Sequence, residues 1–190
     1  MSTGPIMPSV ILETERLVLR AFTENDVDDV LRAASDPLTQ RWLPIPAPGR
    51  PYTRSDAVTW CVDTAPATRA TGDGQHWAAV CRRTGRYVGS FGVVRTNWAA
   101  RTTEIGYLMA PDARGRGLAP EAVVAVTHWV LLDQGFERIA LKAATDNTAS
   151  RRVAEKAGYV YEGIERNAMP LHRGRTDLAV YSVIRPDLVG

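Results

Sequence analysis

Residues 114 to 119 read Arg-Gly-Arg-Gly-Leu-Ala and stand between a strand pattern and a helix pattern. A glycine-rich turn that opens a helix offers unpaired backbone N–H groups and the positive end of the helix dipole to an anion. Arg114 and Arg116 add charge at the same place. The chemistry this points to is retention of a phosphate or diphosphate, and so a phosphate-bearing cofactor. The alternative is a tight strand-to-helix connection that binds nothing. The turn fits neither common nucleotide fingerprint. No Gly-x-x-x-x-Gly-Lys-Ser/Thr run exists, and the third glycine of a Gly-x-Gly-x-x-Gly pattern is replaced by Pro120.

Such a turn acts only if flanking elements hold it. Thr102 to Met109 alternates as a strand and is stopped by Pro111. Pro120 suits a first helical turn, and Ala122, Val123, Val126 and Val130 then form one apolar face that ends near Gly135. Ile139 to Ala143 reads as a strand, Asn147 to Ala157 as a short helix closed by Gly158, and Tyr159 to Ile164 and Leu178 to Ile184 as two last strands. Upstream, Arg16 to Arg20 alternates toward a strand. Thr23-Glu-Asn-Asp26 reads as a helix cap with an acidic residue at the third position. Leu43 to Pro51 contains four prolines and reads as a loop, Arg54 to about Ala70 as a helical region. Gln75 to Arg82 and Tyr87 to Arg95 form a hairpin around Thr84-Gly85. Helices interleaved with strands in this order predict one mixed α/β (α+β) sheet covered by helices.

The 190 residues suffice for one domain, predicted over 1–190 with a loose lead-in at 1–11. Apolar residues make up 45% and charged residues 23%, as in ordinary globular proteins. The net charge of +2 divides evenly between the two halves, which argues against nucleic acid as a partner. The longest apolar stretch, Ala122 to Leu132, is broken by Thr127 and His128 and is too short for a bilayer. With no signal-peptide pattern at the N-terminus, no membrane partner and a cytoplasmic location are expected. Cys61 and Cys81 are read as free thiols, and no His/Cys/Asp cluster has metal-ligand spacing.

Glu104-Ile-Gly-Tyr-Leu-Met-Ala-Pro111 followed by Arg114-x-x-Gly117-x-Ala119 resembles the acyl-CoA-binding motif of the GNAT N-acetyltransferases. Asn147-x-x-Ser150 and Glu155-Lys-Ala-Gly158-Tyr159 resemble that family's second cofactor segment. Leu12-Glu-Thr-Glu-Arg-Leu-Val-Leu-Arg20 with Asp26 is similar to the opening of the RimJ/RimL branch, which acetylates ribosomal-protein N-termini. The resemblance spans about residues 12 to 185. It implies a strongly twisted sheet of about seven strands flanked by about four helices, splayed between the fourth strand (Thr102–Met109) and the fifth (Ile139–Ala143). Acetyl-CoA, or another acyl-CoA, is then the co-substrate, with no metal. Its pantetheine arm would lie in the splay against backbone at Leu108, Met109 and Ala110. The N–H groups of Gly115, Arg116, Gly117, Leu118 and Ala119 would hold the diphosphate, with Arg114 positioning the turn or touching phosphate. Arg152 and Lys156, at i and i+4 on the short helix, would meet an outer phosphate or form a solvated basic face. Asn147 and Ser150 read from the residues alone as a helix cap and a first-turn residue. By resemblance they would contact the pantetheine arm and the thioester sulfur.

Acyl transfer asks for little: an ammonium must lose a proton, an oxyanion needs donors, and a thiolate must leave. Glu104 is the candidate base, or else an ordinary strand carboxylate. The N–H of Met109 is the candidate oxyanion donor. Many relatives carry a general-acid tyrosine four residues before the Gly-aromatic pair. Here that position is Ala154, which leaves Ser150 first, then Tyr107 and Tyr159. A carboxylate that the RimL-like branch holds in the strand after the last cofactor helix corresponds to about Met169. Trp42, Trp98 and His172 are the candidate acceptor contacts. The resemblance thus implies an N-acyltransferase acting on a primary amine, either a small molecule or a protein N-terminus. A larger donor such as succinyl-CoA, a non-catalytic CoA-binding module and a homodimer stay open.

Overall fold

The computed structural model describes residues 4–188. Eight strands form one sheet: β1 Leu12–Glu13, β2 Leu17–Arg20, β3 Gln75–Cys81, β4 Tyr87–Asn97, β5 Thr102–Met109, β6 Arg138–Ala144, β7 Val160–Pro170 and β8 Arg175–Ile184. Their order is β1-β2-β3-β4-β5-β6-β8-β7, and among the described residues only the β5–β6 pair is parallel. The helices are α1 Val27–Ala34, α2 Pro37–Trp42, α3 Arg54–Val58, α4 Ala65–Thr71, α5 Leu118–His128 and α6 Thr148–Lys156. No helix among the described residues is long and apolar enough to cross a membrane.

The local signals act as read. Thr23 donates its N–H to the Asp26 carboxylate at 2.8 Å, and Arg20 grips the same carboxylate with two bonds of 2.8 Å. The α5 helix buries Leu118, Ala119, Ala122, Val123 and Val126. Across the sheet, Trp77, Phe91 and Tyr107 follow one another on neighbouring strands and share a face. Trp77 meets Trp129, beyond the end of α5, edge-on at 5.1 Å, and Phe91 stacks on Tyr107 at 5.5 Å.

Three readings are corrected. The seven predicted strands become eight, because Leu12–Glu13 pairs with β2, and the last hairpin runs about six residues further along β7 than its apolar pattern indicated. The lead-in is not loose over its described part: Met7 is buried, exchanges backbone and side-chain bonds with Arg69, and the Trp77 indole donates to the Val10 carbonyl at 3.1 Å. Residues 1–3 lie outside the described residues. The predicted helix from Arg54 becomes α3 and α4 joined by a wider turn over Thr59–Thr64.

His76 packs edge-on against Trp60 at 4.7 Å, and burial lowers its pKa to about 4. The unfolded chain takes up this proton near pH 6.5, so it binds more protons than the native state between about pH 4 and 6.5. Stability therefore falls as the pH is lowered through that window, by up to about 3 kcal/mol. Melting curves between pH 4 and 7 should show a steeper acid loss in the wild type than in His76→Phe. Parallel curves would remove His76 as the cause.

Candidate active site

Pairing between β5 and β6 runs from Thr102↔Arg138 to Ile105↔Leu141 and stops there. β5 nevertheless stays paired with β4 through Met109, and β6 stays paired with β8 through Ala144. The sheet therefore opens along its only parallel seam, between the ends of two strands that each keep their outer neighbour. The chain leaves β5 into α5 and leaves β6 toward α6, so both helix N-termini come to the open end, where α/β folds place ligands. A cavity of about 600 Å³ fills this gap. Its walls include Gly106 to Met109, Ala143 and Ala144 on the parted strands, Gly115 and Gly117 to Ala119 at the turn, and Asn147 to Ser150 on α6.

The turn is built to leave its amides free. Gly115 and Gly117 take φ of +73° and +72°, conformations that disfavour any side chain. Arg16 donates to the carbonyls of Arg116 and Gly117, both at 3.1 Å, and is itself held by Glu121 at 2.6 Å. Burial opposes charge on Glu121, but bonds from Thr14 and Arg16 outweigh it and lower its pKa. Among the described residues, the N–H groups of Gly115, Gly117, Leu118 and Ala119 have no acceptor in the protein, while that of Arg116 closes the turn. On the inner side, Arg114 donates to Asp36 at 2.6 Å, to Thr39 at 2.9 Å and to the Met109 carbonyl at 3.2 Å. Its guanidinium ties the turn to the start of α2 and the end of β5. Arg116 contributes backbone to the turn but is absent from the cavity wall.

The pleat decides which strand amides face the gap. Ala110 donates its N–H to Val88 at 2.8 Å. Antiparallel bonding alternates, so Leu108 and Ala110 direct their backbone toward β4, while Tyr107 and Met109 direct theirs toward the gap. Of the three backbone positions expected to meet pantetheine, Met109 alone offers its N–H there; Leu108 contributes a side chain to the wall. Asn147 caps α6 by accepting from the Ser150 N–H at 3.2 Å. Ser150 and Tyr107 share a hydroxyl–hydroxyl bond of 2.9 Å, and both line the cavity. Arg152 and Lys156 line it as well.

Glu104 points from the sheet face opposite to Tyr107, by strand alternation. It is not on the cavity wall. Its carboxylate pairs with Lys142 at 3.1 Å and with Arg95 at 3.1 Å. Lys142, which does line the cavity, also binds Glu165 at 2.9 Å. Burial works against the Lys142 charge, yet hydrogen bonds to Glu165 and Glu104 prevail and raise its pKa. Glu104 is thus one ammonium away from the cavity.

Ala154 is fully buried, so no polar group extends from that position. Tyr159 is spent on Thr127 at 2.6 Å, in the core beside α5, where burial raises its pKa. Trp98 is also removed from the site: its indole donates to the Gly72 carbonyl at 2.8 Å and its ring packs on Phe136 at 5.0 Å. His172 accepts from the Gly49 N–H at 3.0 Å, joining the β7–β8 hairpin to the proline-rich loop, and does not line the cavity. Trp42 does line it, with Leu38, Leu43 and Met169 beside it and Arg41 stacked 4.7 Å over its ring. Reasoning from sequence missed Arg16 and Lys142. No local pattern marks Arg16, whose partner carbonyls lie about a hundred residues away. The alternation of β6 marks the face Lys142 points from but not the carboxylates it meets there.

The parted strands of an open mixed sheet thus receive two helix N-termini, one preceded by a turn of free amides. Residues 16–160 match the family described as Acetyltransferase (GNAT) domain, and the chain belongs to it: it is a GNAT N-acetyltransferase. It is 29% identical to the N-acetyltransferase YoaA of Bacillus subtilis over 93% of this chain and 97% of that one. It is 30% identical to the ribosomal-protein-serine acetyltransferase of Escherichia coli, over 44% of this chain and 47% of that protein. The fold matches that of RimL, a ribosomal L7/L12 alpha-N-protein acetyltransferase solved with coenzyme A. The TM-score is 0.81 at 20% identity, over 92% of this chain and 98% of RimL.

Proposed function

We propose that this chain transfers an acetyl group from acetyl-CoA to a primary amine by direct attack within a ternary complex. The observation that carries the proposal is the parted β5–β6 seam headed by the amides of Gly115, Gly117, Leu118 and Ala119, which have no acceptor among the described residues. Those amides and the small residues around them fit a diphosphate, and the cavity behind them fits a long thin arm. In this reading Gly115 to Ala119 hold the diphosphate, with Arg114 and Arg16 keeping the turn in shape from either side. Arg152 and Lys156 meet the outer phosphate, and the gap-facing backbone of Tyr107 and Met109 pairs with the pantetheine amides. When bound, the thioester supplies an activated acyl carbon.

The remaining work falls to side chains and one amide. The Met109 N–H donates to the carbonyl oxygen as negative charge gathers there. Ser150 donates a hydrogen bond toward the sulfur. Glu104, paired with Lys142 and Arg95, takes the proton of the incoming ammonium through water. Leu38, Trp42, Leu43 and Met169 give the acceptor end an apolar lining. The names of the relatives support a protein N-terminal amine as acceptor, and the lining suits an amine that carries an apolar group.

Thiol release from acetyl-CoA should depend on an added amine, measured across a panel of peptides and small amines. Thioester hydrolysis without amine dependence would overturn the reading. Glu104→Gln should lower kcat by about tenfold to a hundredfold and change its pH dependence, with acetyl-CoA affinity unchanged. A pH–rate profile identical to wild type would take Glu104 out of the base role.

A further inference from the structure

The bond between Tyr107 and Ser150 raises a question of direction. Two hydroxyls joined by one hydrogen bond leave one O–H unspent, and direction decides which oxygen keeps it. Both side chains are held in place. The Tyr107 ring is stacked on Phe91 with an interplanar angle of 13°, and the Ser150 backbone is fixed by the Asn147 cap. Neither hydroxyl has another protein partner among the described residues. A phenol is the more acidic hydroxyl, hence the better donor and poorer acceptor of such a pair. Burial of Tyr107 pushes its pKa up to about 12, which keeps its proton in place across the physiological range. The favoured direction is therefore from tyrosine to serine.

We propose that Tyr107 is a positioning residue that donates to Ser150 and so commits the serine proton to the cavity, on the side where the leaving sulfur must lie. Accepting one bond also makes Ser150 a better donor of the other. The inference rests on the acyltransferase reading above and adds to it how the site works with Ala154 on α6. The polarity is supplied from the facing wall, by β5, through a serine one turn earlier on the helix. Tyr107 keeps its own proton throughout. As the C–S bond breaks, its electron pair goes to sulfur, Ser150 hydrogen-bonds to that sulfur, and the proton that completes the thiol comes from solvent. The amine gives up its proton through the water path to Glu104.

A double-mutant cycle tests this, with wild type, Tyr107→Phe, Ser150→Ala and the double variant measured for CoA affinity by calorimetry and for kcat. Tyr107→Phe retains the ring and its stacking, and melting curves check that it folds. Each single variant should weaken CoA binding about threefold and lower kcat about tenfold, with KM for the amine unchanged, the scale of one hydrogen bond. The double variant should be no worse than Ser150→Ala alone, because Tyr107 acts only through that serine. Multiplying effects, or a Tyr107→Phe enzyme with wild-type kcat and CoA affinity, would overturn the positioning role while leaving the acyltransferase reading intact. A wild type that neither binds CoA nor releases thiol would overturn both.

Discussion

Gly117→Trp should abolish CoA binding, raising Kd by at least about a hundredfold, equivalent to roughly 3 kcal/mol. Two effects act together. Position 117 holds φ at +72°, where a non-glycine residue costs about 1–2 kcal/mol. The indole must also find room beside the free amides, and the nearest protein atom to a Cβ placed there is the Arg16 guanidinium at 3.7 Å, so the side chain enters the space the diphosphate needs. Gly85→Trp separates the two effects. Gly85 has φ of +69° in the β3–β4 turn with nothing within 4 Å of a Cβ, so it imposes similar strain away from the cavity. Calorimetry should show CoA binding retained in Gly85→Trp and lost in Gly117→Trp. Equal affinities in both variants would refute the turn as the phosphate site.

Met109→Pro should lower kcat by about a hundredfold or more, the scale for loss of one oxyanion donor. Proline removes a single N–H, and at this position that N–H faces the gap and joins no ladder bond. The carbonyl of residue 109 stays available to Arg114. The preceding residue, Leu108, is already extended, as proline requires of its neighbour. The contrast is Leu108→Pro, which deletes a bond to β4 and should lower the melting temperature instead. Met109→Leu keeps the amide and should keep most of the activity. If Met109→Pro turns over within threefold of wild type, another donor stabilises the oxyanion.

How much of the site was legible depends on how far apart its parts lie along the chain. The Thr23–Asp26 and Asn147–Ser150 caps are contacts over three residues, and the residue types disclose them. The Arg-Gly-Arg-Gly turn and the strands on either side read correctly for the same reason. The Arg16 clamp, the Lys142 bridge between Glu104 and Glu165, and the Arg114 tie to Asp36 span 23 to about a hundred residues and left no local trace. Tryptophan type alone misassigned Trp98, because an indole serves equally well in a packed corner on Phe136 and in a pocket.

By itself the sequence determined most of the elements (though not β1 or α2), the glycine-rich turn and, through resemblance in three ordered motifs, the family. These are encoded by period, cap and glycine placement within a few neighbouring residues. Only the tertiary structure decided where the sheet parts, that Met109 rather than Leu108 turns its amide into the opening, and that Tyr107 reaches Ser150 from the opposite wall. Pleat parity is settled by which strand pairs with which, and the meeting of two walls by how helices and sheet pack, and both depend on residues distant in the chain.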